Sequence, residues 1–327
     1  EKYNYYASLA YLNQNGLLRH GSDNLQRYNA AVKFGADLAD WAKFSYSLRY
    51  VRQDFSRPTA LSGGLYDSIG RQTWPNLPVY DENGYYFDEN AENPAMSLAE
   101  GGVRDAQTDK TYHQAALVFE PVKNWVTNVE FNYSINSVDT RQTELPCYNH
   151  DVSGNVIDTQ GATSLYQDYT KENYMNWNIY TTWSFTLGKG HNVKMMGGFQ
   201  SEEMRQKFFW AKGYGLQMEE LPELDLISNI DGLGKDKAPE VGGYRNQWAT
   251  AGFFARLNYD YKDRYLAEVN LRYDGTSRFR RGSRWQLSPS VSLGWNIANE
   301  GFWDGLVDVC NLLKLRFSYG ELGNMNT

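Results

Sequence analysis

Side chains suited to acid–base, nucleophilic or metal chemistry are few in this chain. Its four histidines, His20, His113, His150 and His191, stand apart, and none has a histidine or cysteine at metal-ligand spacing. His150-Asp151 reads as a turn dipeptide, not as an acid–base pair. The two cysteines, Cys147 and Cys310, form neither a disulfide framework nor a metal site. Asp81, Asn83, Asp88 and Glu89 bring oxygens together, but without the complete spacing of a calcium loop, so a surface hairpin is the simpler reading. No nucleophile elbow, zinc-protease, phosphate-loop or dinucleotide pattern occurs. The residues offer no case for an enzyme, a cofactor or a metal centre.

Aromatic surface is what the chain has in excess: 25 Tyr and 10 Trp among 327 residues. Aromatic faces stack on sugar rings and anchor peptides. The candidate ligand-binding residues are therefore those in or beside predicted loops: Tyr66, Trp74, Tyr80, Tyr85, Tyr86, Trp210 and Tyr214, with Tyr148 close by. The competing role is to pack long loops together, and for most of these rings it is the simpler one. Asn83-Gly84, between aromatic arms, predicts a tight hairpin, and Ser153-Gly154 a similar one within 147–157.

The elements that must position these rings read as strands. Alternation predicts eleven, at 3–12, 26–38, 42–55, 110–120, 125–139, 172–187, 191–210, 244–261, 265 onward, a partner centred on 287–297, and 312–320. Phe44, Tyr46, Leu48 and Tyr50 alternate with Lys43, Ser45, Ser47 and Arg49; Phe253, Ala255, Leu257 and Tyr259 alternate with Phe254, Arg256, Asn258 and Asp260. One face is rich in Trp, Tyr and Leu on nearly every strand. That pattern suits a sheet with lipid on one side and a wet lumen on the other.

The connections support this. Long and short segments alternate along the chain, with 56–109, 140–171 and 211–243 among the long ones and 39–41, 121–124, 188–190 and 262–264 among the short. Membrane barrels gather short turns on the periplasmic side and long loops outside. No run approaches the ~18 apolar residues of a membrane helix, and a net charge of −7 argues against nucleic acid as a partner. A soluble β-protein such as a propeller would show a fixed repeat, and none is visible. Cys147 then falls outside and Cys310 on the periplasmic side, about 25 Å apart across the apolar band, so no bond between them is expected. Trp41, Trp125, Tyr261 and Tyr265 fit an interfacial girdle.

Lys33, Arg49, Glu130, Arg256, Glu268, Arg272, Asp274, Lys314 and Arg316 would line the lumen. A passive pore could use them to select solutes and a plugged transporter to hold its plug; the residues alone leave both open. A secreted or surface glycan-binding β-protein without transport is a further alternative.

Three stretches carry a resemblance. RYDGTSRF at 272–279, SPSVSLGW at 288–295 and LKLRFSYG at 313–320 resemble the barrel signature of SusC/RagA-type TonB-linked outer-membrane transporters. YNYYASLAYLNQNGLL at 3–18, followed by QRYNAAVKF, resembles their first barrel strands, and Asn93-Pro94 with Leu98-Ala99-Glu100-Gly101-Gly102 the end of their first long outer loop. The signature residues here are Arg272, Tyr273, Asp274, Gly275, Ser277, Arg278, Phe279, Pro289, Ser290, Gly294 and Trp295. Departures are Thr276 where Ser is usual, Arg280 where Gly is usual, and Leu287-Ser288 before Pro289 where an aromatic is common.

The resemblance implies an antiparallel transmembrane barrel of about 22 strands behind an N-terminal plug. It implies drive through the TonB complex, a SusD-like surface lipoprotein as partner, and an oligosaccharide or peptide as cargo. Residues 1–327 would be an internal piece of the barrel domain, holding about eleven strands, with the plug and the C-terminal strands elsewhere. Tyr273 would face outer-membrane lipid and Arg272 and Asp274 the lumen, in a scaffold role.

Overall fold

The computed structural model describes residues 2–323 except 22, 72, 75, 88–92, 152 and 161. Asp88 and Glu89 of the oxygen-rich segment lie outside the described residues.

Strands β1 (Tyr3–Asn15), β2 (Asn24–Ala39), β3 (Ala42–Pro58), β4 (Val103–Val122) and β5 (Trp125–Glu144) lead into a small hairpin, β6 (Cys147–His150) and β7 (Val156–Gln160). Then come β8 (Ser164–Leu187), β9 (His191–Tyr214), β10 (Glu240–Tyr261), β11 (Tyr265–Thr276), β12 (Trp285–Asn296) and β13 (Lys314–Gly320). All but β6 and β7 form one eleven-stranded sheet in chain order, antiparallel throughout, with β1 and β13 at its edges.

The strands outrun the sequence expectation. β8 and β9 have 24 residues each, whereas ~9–11 cross a tilted path through the membrane. β4 begins at Val103 instead of 110, and β8 at Ser164 instead of 172. Above the lipid, water wets both faces, so the apolar alternation fades while the backbone ladder continues.

Register fixes which residues share a face, because successive side chains point to opposite sides. Ile179, Phe199, Phe253, Tyr273 and Leu287 pair in one row across β8 to β12. Their apolar face is left uncovered: Tyr5 is 88% exposed and Leu9 87%. So broad an apolar surface is unstable in water and settled in lipid. The residues buried against protein lie mainly outside the sheet, among the outer connections: Leu65, Met96, Leu98 and Cys147, joined by Leu165 and Tyr214 at strand ends.

Two helices were not apparent in the sequence: α1 (Gly63–Arg71) and α2 (Pro94–Glu100). The cue for α2 was present. Asn93 caps it by accepting from the Ala95 N–H at 3.1 Å, and Pro94 opens it.

Short turns join the opposite ends. Lys262 and Asp263 both take positive φ, 52° and 56°, in the tight turn between β10 and β11. The expected strict alternation of loop lengths breaks once. The connection of residues 297–313, which holds two short 3-10 segments, exceeds the outer loop 277–284. Cys310 lies in that connection, Cys147 lies at the far end of the molecule, and no disulfide joins them.

The Asn83-Gly84 hairpin forms differently from the two-residue turn its sequence suggests. Tyr80 pairs with Tyr86, leaving five residues at the tip. The Asp81 carboxylate accepts from the N–H groups of Asn83 and Tyr85, both at 2.8 Å. Asp151 does the same for Ser153 and Asn155, and Asp231 for Leu233 and Lys235. In all three tips a glycine three residues on has positive φ: Gly84, Gly154 and Gly234. One Asp-x-x-Gly-x device therefore closes three outer loops.

Candidate functional site

The inner face of the sheet is polar and cross-linked strand to strand. Asn258 and Asn270 both donate to Glu268, at 2.5 and 2.8 Å, and Arg256 donates to Asn270 at 2.5 Å. Asn178 donates to Glu130 at 3.4 Å, and Asn136 and Gln206 donate to Glu172 at 3.0 and 2.9 Å. The alternation that brings these groups together is the same one that sends Leu257 and Val269 to the opposite face.

Lys33, Arg49, Glu130, Arg256, Glu268, Arg272, Asp274, Lys314 and Arg316 all fall on this inner face by register. Arg49 lies over the Tyr112 ring at 4.5 Å, beside Lys33 and Tyr174 in a concavity of about 430 Å³. A second concavity, of about 380 Å³, is lined by Glu202, Trp248, Arg272, Asp274 and Arg278. Both are open recesses with aromatic walls; the first carries basic charge, from Lys33 and Arg49, and the second charges of either sign.

The signature stretch is bound into the sheet and its loop by contacts on both faces. Arg272 donates to Asp274 at 2.6 Å and to Gln200 of β9 at 3.1 Å. The Asp274 carboxylate occupies the space that a Cβ at Gly252 would need, and the Trp285 ring does the same over Gly275. On the outer face Trp285 stacks on Tyr273 at 4.9 Å. Ser277 donates its backbone N–H to Ala249 at 2.8 Å and accepts from Ala249 at 2.9 Å, fixing the loop to β10. Arg278 lies 4.6 Å over Trp248, and the Phe279 carbonyl accepts from Arg284 at 3.0 Å. Pro289 faces outward opposite Leu271, Ser290 accepts from Asn270 at 3.2 Å, and Gly294 leaves room for Lys314 and Leu266. Trp295 donates to Glu300 at 3.1 Å on the short-turn side. There Trp41 lies near Phe119, Trp125 near Trp183 and Tyr261 near Tyr265, at 6.4, 6.2 and 6.4 Å.

The loop aromatics divide into groups. Tyr66 and Trp74 are exposed, at 66% and 58%. Tyr80 and Tyr86 lie 5.0 Å apart, with His20 6.1 and 6.3 Å from them. Burial, then hydrogen bonding to Tyr80, pushes the Tyr86 hydroxyl up to about 12, so it stays a neutral donor. Tyr85 stacks on His150 at 4.2 Å, which joins the first outer loop to the β6–β7 hairpin. Trp210 lies 5.8 Å from Tyr166 on the inner face. Tyr214 is buried, donates to Glu240 at 2.5 Å and carries Lys237 at 3.6 Å over its ring. Tyr148 donates to Glu219 at 2.8 Å, which raises its pKa. Tyr85, Tyr148 and Tyr214 thus hold loops together, leaving Tyr66, Trp74 and Tyr80 presented outward.

Known proteins share this arrangement. The SusC TonB-dependent receptor of Bacteroides thetaiotaomicron is 25% identical over 338 residues, 98% of this chain and 32% of that protein. TonB-dependent receptor P26 of Formosa agariphila is 25% identical over 343 residues, 99% of this chain and 31% of its own length. The solved RagAB peptide transporter superposes with a TM-score of 0.77 at 20% identity, over 98% of this chain and 35% of that one. The chain therefore spans about a third of the length of the relatives it matches. The family model described as TonB dependent receptor-like, β-barrel, matches residues 2–325. An alternating sheet with an apolar outer face, a polar inner face and long loops at one end is what that match calls for, and the chain belongs to this family of outer-membrane β-barrels.

Proposed function

We propose that the chain is part of a TonB-dependent importer that carries oligosaccharides, or peptides, across the outer membrane. The observation that carries this is the two-faced sheet: an apolar band outside, a hydrogen-bonded polar wall inside, and aromatic rings in the loops above it. A wall of mixed charge and amide groups suits a neutral, hydroxyl-rich or peptidic solute better than a strongly charged one. Tyr66, Trp74 and Tyr80 are the rings most open to such a cargo, with Trp210 on the wall below. One relative of the same fold is named a peptide transporter, which keeps peptides among the candidates.

On this reading residues 1–327 are one part of the barrel domain, since the relatives are about three times as long. A plug domain, further strands, the TonB complex and a SusD-like surface lipoprotein complete the transporter. The test is uptake in cells that carry the full-length receptor. Import of labelled oligosaccharide or peptide should stop when the receptor gene is deleted, and equally when a protonophore removes the energy that TonB transmits. Uptake that survives the protonophore would indicate a passive pore and overturn the proposal. A cargo bound by cells but never internalised would point to a surface binding protein.

A further inference from the structure

We infer that the outward face of β8, β9 and β10, just above the apolar band, binds the phosphate-bearing sugar headgroup of an outer-leaflet glycolipid. Lys171, Lys207 and Arg245 stand directly opposite one another across these three strands. All three share the outward parity of Trp177, Phe199 and Phe253. Arg205 joins them one outward position lower on β9.

Side chains opposite each other on an antiparallel pair are ~4.5–5.5 Å apart at Cβ, and like charges there destabilise the sheet. Two consecutive like-charged pairs in a chain of net charge −7 call for a compensating anion. Among the described residues, the acids opposite, diagonal or next along the strand on this face are Glu203 and Asp139. Glu203 is taken by Arg205 at 2.7 Å and Gln247 at 2.6 Å. Asp139 is only diagonal to Lys171, so Lys207 and Arg245 face each other with no carboxylate in their row or beside it.

Height selects the occupant. Each outward step is two residues, ~6.6 Å along the strand and ~5 Å of height at the usual barrel tilt. Three steps separate Trp177 from Lys171 and Phe199 from Arg205. That puts the charges ~15 Å above Trp177 and Phe199, ~10 Å above Met175 and Tyr133 and ~5 Å above Ile135, at the outer edge of the ~5–8 Å headgroup zone of a phospholipid leaflet. A glycolipid whose sugars carry phosphate reaches this level. Directly above the charges, still on the outward face, Tyr169 and Phe209 lie 5.6 Å apart, with Lys207 5.1 Å over the Phe209 ring. Phe209 is 47% exposed there, outside both the lipid band and any protein core. An aromatic pair over a basic row matches a sugar ring over its phosphate.

The experiment uses the full-length receptor, delipidated in detergent and titrated with diphosphorylated lipid A while bound mass is followed by native mass spectrometry. The same lipid after phosphatase treatment and inorganic phosphate alone are the comparison probes. The wild type should bind the phosphorylated lipid at least tenfold more tightly than the dephosphorylated one, and millimolar phosphate should not displace it. Lys171→Gln/Lys207→Gln/Arg245→Gln should lose that preference, weakening binding of the phosphorylated lipid by about tenfold or more. Lys171→Arg/Lys207→Arg should keep it, and all variants should remain heat-modifiable barrels. Equal affinity of the wild type for both lipids overturns the inference, whether or not the Gln variant folds. So does an undiminished preference in the Gln variant, or displacement by phosphate alone.

Discussion

The ring of Phe254 lies on the α-carbon of Gly198, its partner across β9 and β10 on the inner face. A Cβ at Gly198 would run into the ring edge and into Tyr180 on the other side. The glycine leaves a gap in the wall, and the neighbouring aromatic covers its exposed backbone. Gly198→Val should therefore destabilise the barrel by about 1–3 kcal/mol through overpacking. Adding Phe254→Ala should recover part of the loss. Thermal loss of the compact gel band in the full-length receptor measures both, and a neutral Gly198→Val would remove the packing role assigned here.

The two faces should respond oppositely to charge. Leu257 points to lipid between Met195 and Val269. Leu257→Arg should cost about 2–4 kcal/mol near the bilayer midplane and reduce the amount of receptor assembled in the membrane. Phe254→Arg keeps a long side chain on the wet face and should lose only the cover over Gly198. Assembly comparable for the two variants would contradict the assignment of faces.

The three Asp-closed tips make a matched set. Asp81→Ala, Asp151→Ala and Asp231→Ala should each increase backbone hydrogen exchange at their own tip, while Asp→Asn, which keeps an accepting oxygen, should change it little. Hydrogen bonds from Asn155 hold the Asp151 carboxyl below its usual range. A depressed carboxylate contributes order that is complete above its unfolded pKa of ~3.9. That order is lost as pH falls through the lowered folded value. Exchange at residues 151–155 should therefore stay constant from neutral pH down to about 4 and rise below it, after correction for intrinsic rates.

Residues 1–327 expressed alone should fail to give a monomeric barrel. Among the described residues, β1 and β13 leave their outer backbone groups unpaired, and lipid does not satisfy them. A heat-modifiable monomer in detergent would count against this expectation.

The faces, the strand count and the signature hairpin were legible in the sequence because alternation records them residue by residue: Leu257 and Asn258 differ in chemistry as they differ in surroundings. Strand length was not. At the starts of β4 and β8, residues 103–109 and 164–171, both faces are wet, so no alternation marks the strand. The loop tips were half legible. Gly84 and Gly154 announced turns, but the role of the Asp three residues earlier in setting the hydrogen bonding was not legible. The same blind spot hid the tip at 231–235. Of the candidate ring set, exposure separates Tyr66 and Trp74 from Tyr214, and exposure of a loop aromatic depends on contacts between distant loops, such as Tyr85 with His150, that local sequence does not record.

Strand order in the sheet equals order in the chain, and that has a consequence for biogenesis. Each strand from β2 to β13 of the large sheet pairs with the one before it, so no strand has to wait for a partner made much later. Loop-closure entropy is then met one hairpin at a time. The sheet can grow by addition at a single leading edge, each strand templating the one that follows it as far as β13. The unpaired edge that costs the sheet stability in lipid is also what makes it extendable.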